Sequence, residues 1–296
     1  MDNRIGIYFA FWEQEWEADY CRYIEKVKKL GFDTLELAAG CLPGIGREKR
    51  LEIAQKAREE GIDLTYCIGL PPAYDPASPD EQIRKAGIRL VQELLRCIHE
   101  MGGDMLGGIL YSCWPGPVVS MEEKWEARRR SLESMKEIGK AAQEYQVDCC
   151  LEIVNRFEQY LLNTAHEGTE FVRELGNPRM KLLLDSFHMN IEEDSIYDAI
   201  MEARDVLGHF HIGECNRKTP GLGRMDWDTI IRGLKDADYQ GRIVMEPFIR
   251  PGGQVGRDIK IYRDQSQGAD EKEMDRLARE AVIFIRKKLK ETEGEK

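Results

Sequence analysis

The chain is expected to fold as a single-domain (β/α)8 barrel, the TIM-barrel class of α/β protein, over residues 1–296. Three features predict this. Eight short apolar runs alternate with helix-like stretches, the pattern of parallel strands joined by helical crossovers. The length suits a barrel of about 250 residues with some loop insertions, and no shift in composition marks a domain boundary. Four of the apolar runs carry an acidic or imidazole side chain near the C-terminal end: Glu152, Asp185, His211 and Glu246. The competing architecture is an open doubly wound sheet. That fold wants a glycine-rich phosphate turn after the first strand, where this chain has Phe9-Ala10-Phe11-Trp12.

Residues 4–10 form the first apolar run, followed by a helix over 17–30 that stops at Gly31. Residues 34–39 make the second strand, with a helix over 47–60 stopping at Gly61. The third strand, 63–70, is ended by Pro71-Pro72, and a loop containing Asp75, Pro76 and Pro79 leads into a helix over 81–101. In the fourth strand, 105–112, Gly107-Gly108 allow close backbone approach. Ser120 reads as an N-cap with Glu123 as its capping-box partner, opening a helix that runs to Tyr145. The fifth strand starts at Asp148, and Thr164 with Glu167 forms a second capping-box pattern for a helix ending at Gly176. The sixth strand ends its apolar run on Asp185, and residues 196–203 supply a short helix. The seventh strand contains His211 and precedes a helix over 228–237, and the eighth contains Glu246. The GGQVG run after Pro251 reads as a flexible barrel loop rather than a phosphate cradle. A helix over 271–289 closes the chain, with a frayed, charged tail.

Composition narrows the partners. Acidic residues outnumber basic ones, 54 to 43, for a formal charge of −11. Such a surface repels phosphate backbones and anionic lipid, which argues against nucleic acid and membrane partners. No cationic and apolar N-terminal signal and no apolar run near 18 residues is present. The eight cysteines form no C-x-x-C pair, so free thiols in a reducing cytoplasm are expected.

The stretch DCCLEIVNRFE, from Asp148 to Glu158, carries the functional argument. Side chains alternate along a strand, so Cys150, Glu152 and Val154 share one face. Glu152 lies inside an apolar strand, and a carboxylate is rarely buried unless it is paired or bound to a metal. Glu152, Asp185, His211 and Glu246 are separated by 33, 26 and 35 residues, each close to one βα repeat. They should stand on four adjacent strands at the end of the barrel where chemistry is performed. Taken singly, a strand-end Asp is a cap and a His is a satisfied core group; four together read as a metal site. Three carboxylates and one imidazole form a hard set, suited to Mn²⁺, Mg²⁺ or Co²⁺ over structural zinc. His209 shares a face with His211 and is its rival, but it lies deeper and reads as packed behind the site.

The motifs LEIVNRFE, LLLDSFHMNIEEDS, GHFHIGECNRKTPGLGRMDW and VMEPF resemble the D-tagatose 3-epimerase and D-psicose (D-allulose) 3-epimerase family. The similarity runs from GIYFAFWEQEW to IKIYRDQSQGAD, nearly the whole chain. It implies a metal-dependent isomerase, a homo-oligomer (dimer or tetramer), that interconverts free ketohexoses at C3: D-fructose with D-psicose, and D-tagatose with D-sorbose. On that resemblance Glu152, Asp185, His211 and Glu246 hold one Mn²⁺ or Co²⁺ per subunit, with Mg²⁺ admissible. Glu152 and Glu246 exchange the C3 proton, and Glu158, His188 and Arg217 bind the O1–O3 end. Tyr8, Trp16, Trp114 and Phe248 resemble the apolar wall around the far end of the sugar. Residues 67–71 and 107–109 fall where family members vary, which bears on substrate preference.

Inverting a carbon beside a carbonyl removes its proton on one face and returns one on the other, a geometry that two flanking carboxylates supply, whereas a single base would mostly restore the starting isomer. A metal on O2 and O3 would stabilise the enediolate by several kcal/mol. Taken alone, Arg217 reads as a solvated loop charge and Glu158 as solvent-facing. His188 and Arg217 are expected on loops past strand ends. Three other readings share the pattern: another metal-dependent sugar isomerase or dehydratase, a phosphodiester nuclease of the endonuclease IV type, and a non-catalytic sugar-binding protein. Only five histidines and the acidic balance oppose the nuclease.

Overall fold

The structure, a computed structural model, describes residues 1–291. Eight parallel strands close on themselves in sequence order. They are β1 (Ile5–Tyr8), β2 (Thr34–Ala38), β3 (Asp63–Gly69), β4 (Met105–Ile109), β5 (Asp148–Ile153), β6 (Met180–Asp185), β7 (Leu207–Ile212) and β8 (Ile243–Met245). Register runs from Ile7 opposite Leu35 round to Ile7 opposite Met245, so no sheet edge is left open. Helices cover the outside, and the strands are buried on both faces, as their unbroken apolar runs require.

The helices are α1 (Tyr20–Leu30), α2 (Gly46–Glu60), α3 (Glu81–Glu100), α4 (Met121–Tyr145), α5 (Ala165–Leu175), α6 (Ser186–Glu192), α7 (Ile196–Ala203), α8 (Trp227–Asp236), α9 (Gly253–Asp258) and α10 (Glu271–Glu291). Helix α1 buries Tyr20, Tyr23, Ile24, Val27 and Leu30, a stripe at helical spacing, and ends where Gly31 takes φ 96°. The expected capping box at Ser120 and Glu123 is formed in both directions. At Thr164 only half of one forms. Its hydroxyl accepts from Glu167 N–H, while the Glu167 carboxylate reaches past it to Asn163 N–H at 2.7 Å.

Several boundaries differ from expectation. The first strand stops at Tyr8 because residues Phe9–Phe11 coil into a 3-10 turn at the barrel mouth. Helix α1 begins at Tyr20, not residue 17, because residues 13–19 are drawn over that mouth, where Trp16 Nε1 donates to Asp258 Oδ2 at 2.7 Å. The fourth strand ends at Ile109 rather than residue 112. The segment expected as a flexible loop after Pro251 forms the short helix α9. His188 lies on α6, not on a loop, because Asp185 caps a helix started directly from the strand end. The charged tail expected beyond residue 291 lies outside the described residues.

Inward-facing side chains fill the barrel below its mouth: Met105, Cys150 and Leu183 make a closed cluster there. Gly108 lets β4 approach β3, for a Cβ at its φ of 111° would stand 2.1 Å from Ile68 O. No helix among the described residues is long and apolar enough to cross a membrane.

Candidate active site

At the C-terminal ends of the strands a cavity of about 490 Å³ opens. Tyr8, Trp16, Trp114, Glu152, Glu158, His188, Arg217, Glu246 and Phe248 all line it, nine side chains singled out from the sequence. Asp185 and His211 lie at its floor, fully buried.

Glu152, Asp185, His211 and Glu246 come from β5, the end of β6, β7 and the residue after β8. One ligand atom from each lies within 4.8 Å of the others. His211 Nδ1 stands 3.9 Å from Glu152 Oε1 and 3.9 Å from Glu246 Oε2. Those separations exceed hydrogen-bond reach, and Nδ1 is buried with no hydrogen-bond partner among the described residues. An orphaned imidazole nitrogen facing crowded carboxylates fits a divalent ion with oxygen-rich ligation. Electrostatics agree. Burial, then repulsion from Glu246, pushes Glu152 well above the usual carboxylate range. Burial likewise pushes Glu246 up to about 7, with Asp185 and Glu36 adding to it against the pull of His211 and Arg217. A cation would reverse both shifts.

Asp185 serves two ends. Its Oδ1 accepts from Phe187 N–H at 2.9 Å, capping α6, and its Oδ2 accepts from Arg217 Nη1 at 2.8 Å. Burial opposes its ionisation, but Arg217, His188 and His211 outweigh burial and keep it below its ordinary value. Arg217 Nη1 also donates to Glu246 Oε2 at 3.0 Å. Its guanidinium sits 4.0 Å above the Phe187 ring, a cation–π contact. The backbone there has φ 60°, and the side chain is buried in the barrel mouth and not solvated.

His188 is buried, and burial lowers its pKa to about 4, with Arg217 adding to the effect against Glu158 and Asp185. Its Nδ1 faces the Asn155 backbone N–H at 3.2 Å and its Nε2 faces Arg217 Nη2, so donors flank both ring nitrogens. That Nε2 stands 3.7 Å from Glu152 Oε1 and 3.1 Å from Arg217 Nη2, at the cavity wall. Glu158 is likewise turned inward: Oε2 accepts from Trp114 Nε1 at 3.0 Å and Oε1 from Asn155 Nδ2 at 3.2 Å. Tyr8, Trp16 and Phe248 stack edge to face or tilted, 6.1 to 6.5 Å apart, as an apolar wall.

His209 is not among the four. Its Nε2 bonds Glu36 Oε2 at 3.0 Å, behind the site, where Glu36 also stands 2.7 Å from His211 Nε2. Burial alone would lower His211, but Glu36, then Glu246 and Glu152, push it up to about 10. Sequence reasoning passed over Glu36, Asn155 and Asp258. Glu36, an acid inside the apolar run Leu35-Glu36-Leu37, carried the signal that singled out Glu152.

Fold and site together define a barrel enzyme class: residues 24–279 match the xylose isomerase-like TIM barrel family, and the chain belongs to it. Within that family its relatives are sugar epimerases. The chain is 50% identical to a D-psicose 3-epimerase of Ruminiclostridium cellulolyticum over 281 residues, covering 95% of this chain and 96% of that protein. It is 43% identical to the D-psicose 3-epimerase of Agrobacterium fabrum, covering 95% and 97%. The crystal structure of D-psicose 3-epimerase with D-tagatose from Clostridium cellulolyticum H10 superposes with a TM-score of 0.94 at 49% identity, covering 97% of this chain and 99% of that one. The chain is a member of the ketose 3-epimerase family of isomerases.

Proposed function

We propose that this protein epimerises free ketohexoses at C3, D-fructose with D-psicose and D-tagatose with D-sorbose, using Glu152 and Glu246 as alternating base and acid. One observation carries the reading: both carboxylates converge on His211 Nδ1, at 3.9 Å each, from strands three apart in the closed barrel. A sugar held between them would present the two faces of C3 to two different carboxylates. Burial raises the proton affinity of both, which suits groups that must take and return a proton.

Glu152, Asp185, His211 and Glu246 would hold one divalent ion, Mn²⁺, Co²⁺ or Mg²⁺. When bound, it would supply positive charge for the oxygens beside C3 as the proton leaves. The remaining groups orient the sugar. The Arg217 guanidinium would donate to oxygens at the O1–O3 end, where negative charge develops, with His188 beside it binding the same end, and Glu158 would accept from a hydroxyl there. Tyr8, Trp16, Trp114 and Phe248 would face the C–H surfaces of the far end, excluding water with few polar contacts.

A cytoplasmic setting and a dimeric or tetrameric assembly belong to the same proposal. The first draws on eight free thiols. The second follows from family resemblance, and light scattering reads it directly.

The test is to incubate the metal-loaded protein with D-fructose and D-tagatose separately and resolve products by chromatography, repeating in D2O. The expected products are D-psicose and D-sorbose, each with deuterium at C3. Aldoses, dehydrated sugars or unlabelled C3 would overturn the proposal.

A further inference from the structure

Behind the cavity, buried on β2, lies an acid that none of the roles above employs. Glu36 is fully buried and reaches across the barrel interior to β7, where it meets two histidines. Its Oε2 accepts from His209 Nε2 at 3.0 Å, and its Oε1 stands 2.7 Å from His211 Nε2. At 2.7 Å this is a close ion-pair contact that falls short of hydrogen-bond geometry, and neither atom has a hydrogen-bond partner among the described residues. The two rings stand edge to face, 5.0 Å between centroids. His209, Glu36 and His211 thus form a chain, and the far nitrogen of its last ring, Nδ1, faces Glu152 and Glu246.

These three residues do not suit a second cation. Donor atoms of one ion held at about 2.1 Å stand roughly 3 Å or more apart, whereas 2.7 Å is a distance at which oxygen and nitrogen share a proton. A carboxylate behind a ligating imidazole commonly fixes its tautomer and ring orientation.

We infer that Glu36 is a positioning residue: by holding the proton on His211 Nε2, with His209 bracing the carboxylate, it turns the Nδ1 lone pair toward Glu152, Asp185 and Glu246. The inference rests on the reading of those four groups as a metal centre. With an apolar residue at position 36, His211 could carry its proton on Nδ1 or rotate, and the cluster would lose its only nitrogen.

The test is calorimetric titration of Mn²⁺ into chelator-stripped wild type and Glu36→Gln, with far-UV circular dichroism and apo-protein Tm in parallel. The substituted amide can aim its NH2 at His211, which would force the proton onto Nδ1. The inference expects Mn²⁺ Kd to rise 10- to 100-fold with the circular dichroism unchanged. A Kd within twofold of wild type, even with a lowered apo Tm, would make Glu36 merely structural and overturn it. Wild type that binds no Mn²⁺ would instead remove the metal reading beneath it. Should Glu36→Gln fail to fold, Glu36→Asp, whose carboxylate is one methylene short of His211, decides: a Mn²⁺ Kd raised at least tenfold is expected, and one within twofold of wild type overturns the inference.

Discussion

Asp185 is both a helix cap and a member of the four-group cluster, and the two uses depend on each other. Its Oδ1 ties it to the first turn of α6, which fixes where Oδ2 points. Arg217 then neutralises part of a site that would otherwise gather three buried carboxylates around one imidazole. At this scale the proposal is sharpest for Glu152 and Glu246. Glu152→Gln and Glu246→Gln, assayed with Mn²⁺ shown to be bound, should each lower kcat by about 10²–10⁴-fold. A Glu246→Gln variant that binds Mn²⁺ and still turns over near the wild-type rate would rule out the two-carboxylate mechanism. Arg217→Ala should cost more than a lost surface charge, because Asp185 and Glu246 would be left facing each other without it. Its expected mark is a kcat/KM reduced by at least about tenfold, with Mn²⁺ affinity altered as well, and steady-state kinetics beside calorimetry separates the two.

Elements matter here through their ends. Each of β5, β6 and β7 delivers its member of the four-group cluster inside or at the last residue of the strand, while β8 delivers Glu246 one residue beyond. The turn after β5 does more than connect: Asn155 donates its backbone N–H to His188 and its side-chain amide to Glu158, so one residue holds two cavity side chains. On the neighbouring strand, β4 can pair closely with β3 only because residue 108 has no Cβ. Gly108→Ala meets Ile68 O at 2.1 Å and keeps a left-handed backbone, so it should destabilise the protein by about 3 kcal/mol. Thermal denaturation checks this, and an unchanged Tm would mean that the pairing relaxes without cost.

For the whole molecule, closure of the sheet brings together residues that are remote in the chain. Trp16 and Asp258 tie the first βα loop to α9 over the cavity, and Tyr8, Trp16 and Phe248 assemble one wall from both ends of the sequence. A cation at the floor would bind the folded barrel and not the unfolded chain, since its four ligands come from four strands. Chelation should therefore lower Tm. Restoring Mn²⁺ at 100 times Kd should return about 2.7 kcal/mol of stability, a shift of several degrees. A Tm indifferent to chelator and Mn²⁺ would contradict the metal reading.

The sequence by itself determined the barrel, because a repeating alternation of apolar strand and amphipathic helix leaves few other ways to bury every apolar face. It also marked Glu152, Asp185, His211 and Glu246, since their spacing follows the βα repeat and acids are conspicuous in apolar runs. Only the tertiary structure decided what those groups meet. Local signals could not announce that Glu36 on β2 would reach His209 and His211 on β7, or that Asn155 would hold both Glu158 and His188. Nor could they show that Arg217, which reads locally as a solvated loop charge, turns inward to pair with Asp185 and Glu246. Periodicity reports which face of an element is buried; which partner waits across the barrel depends on closure, and closure is a property of all eight strands at once.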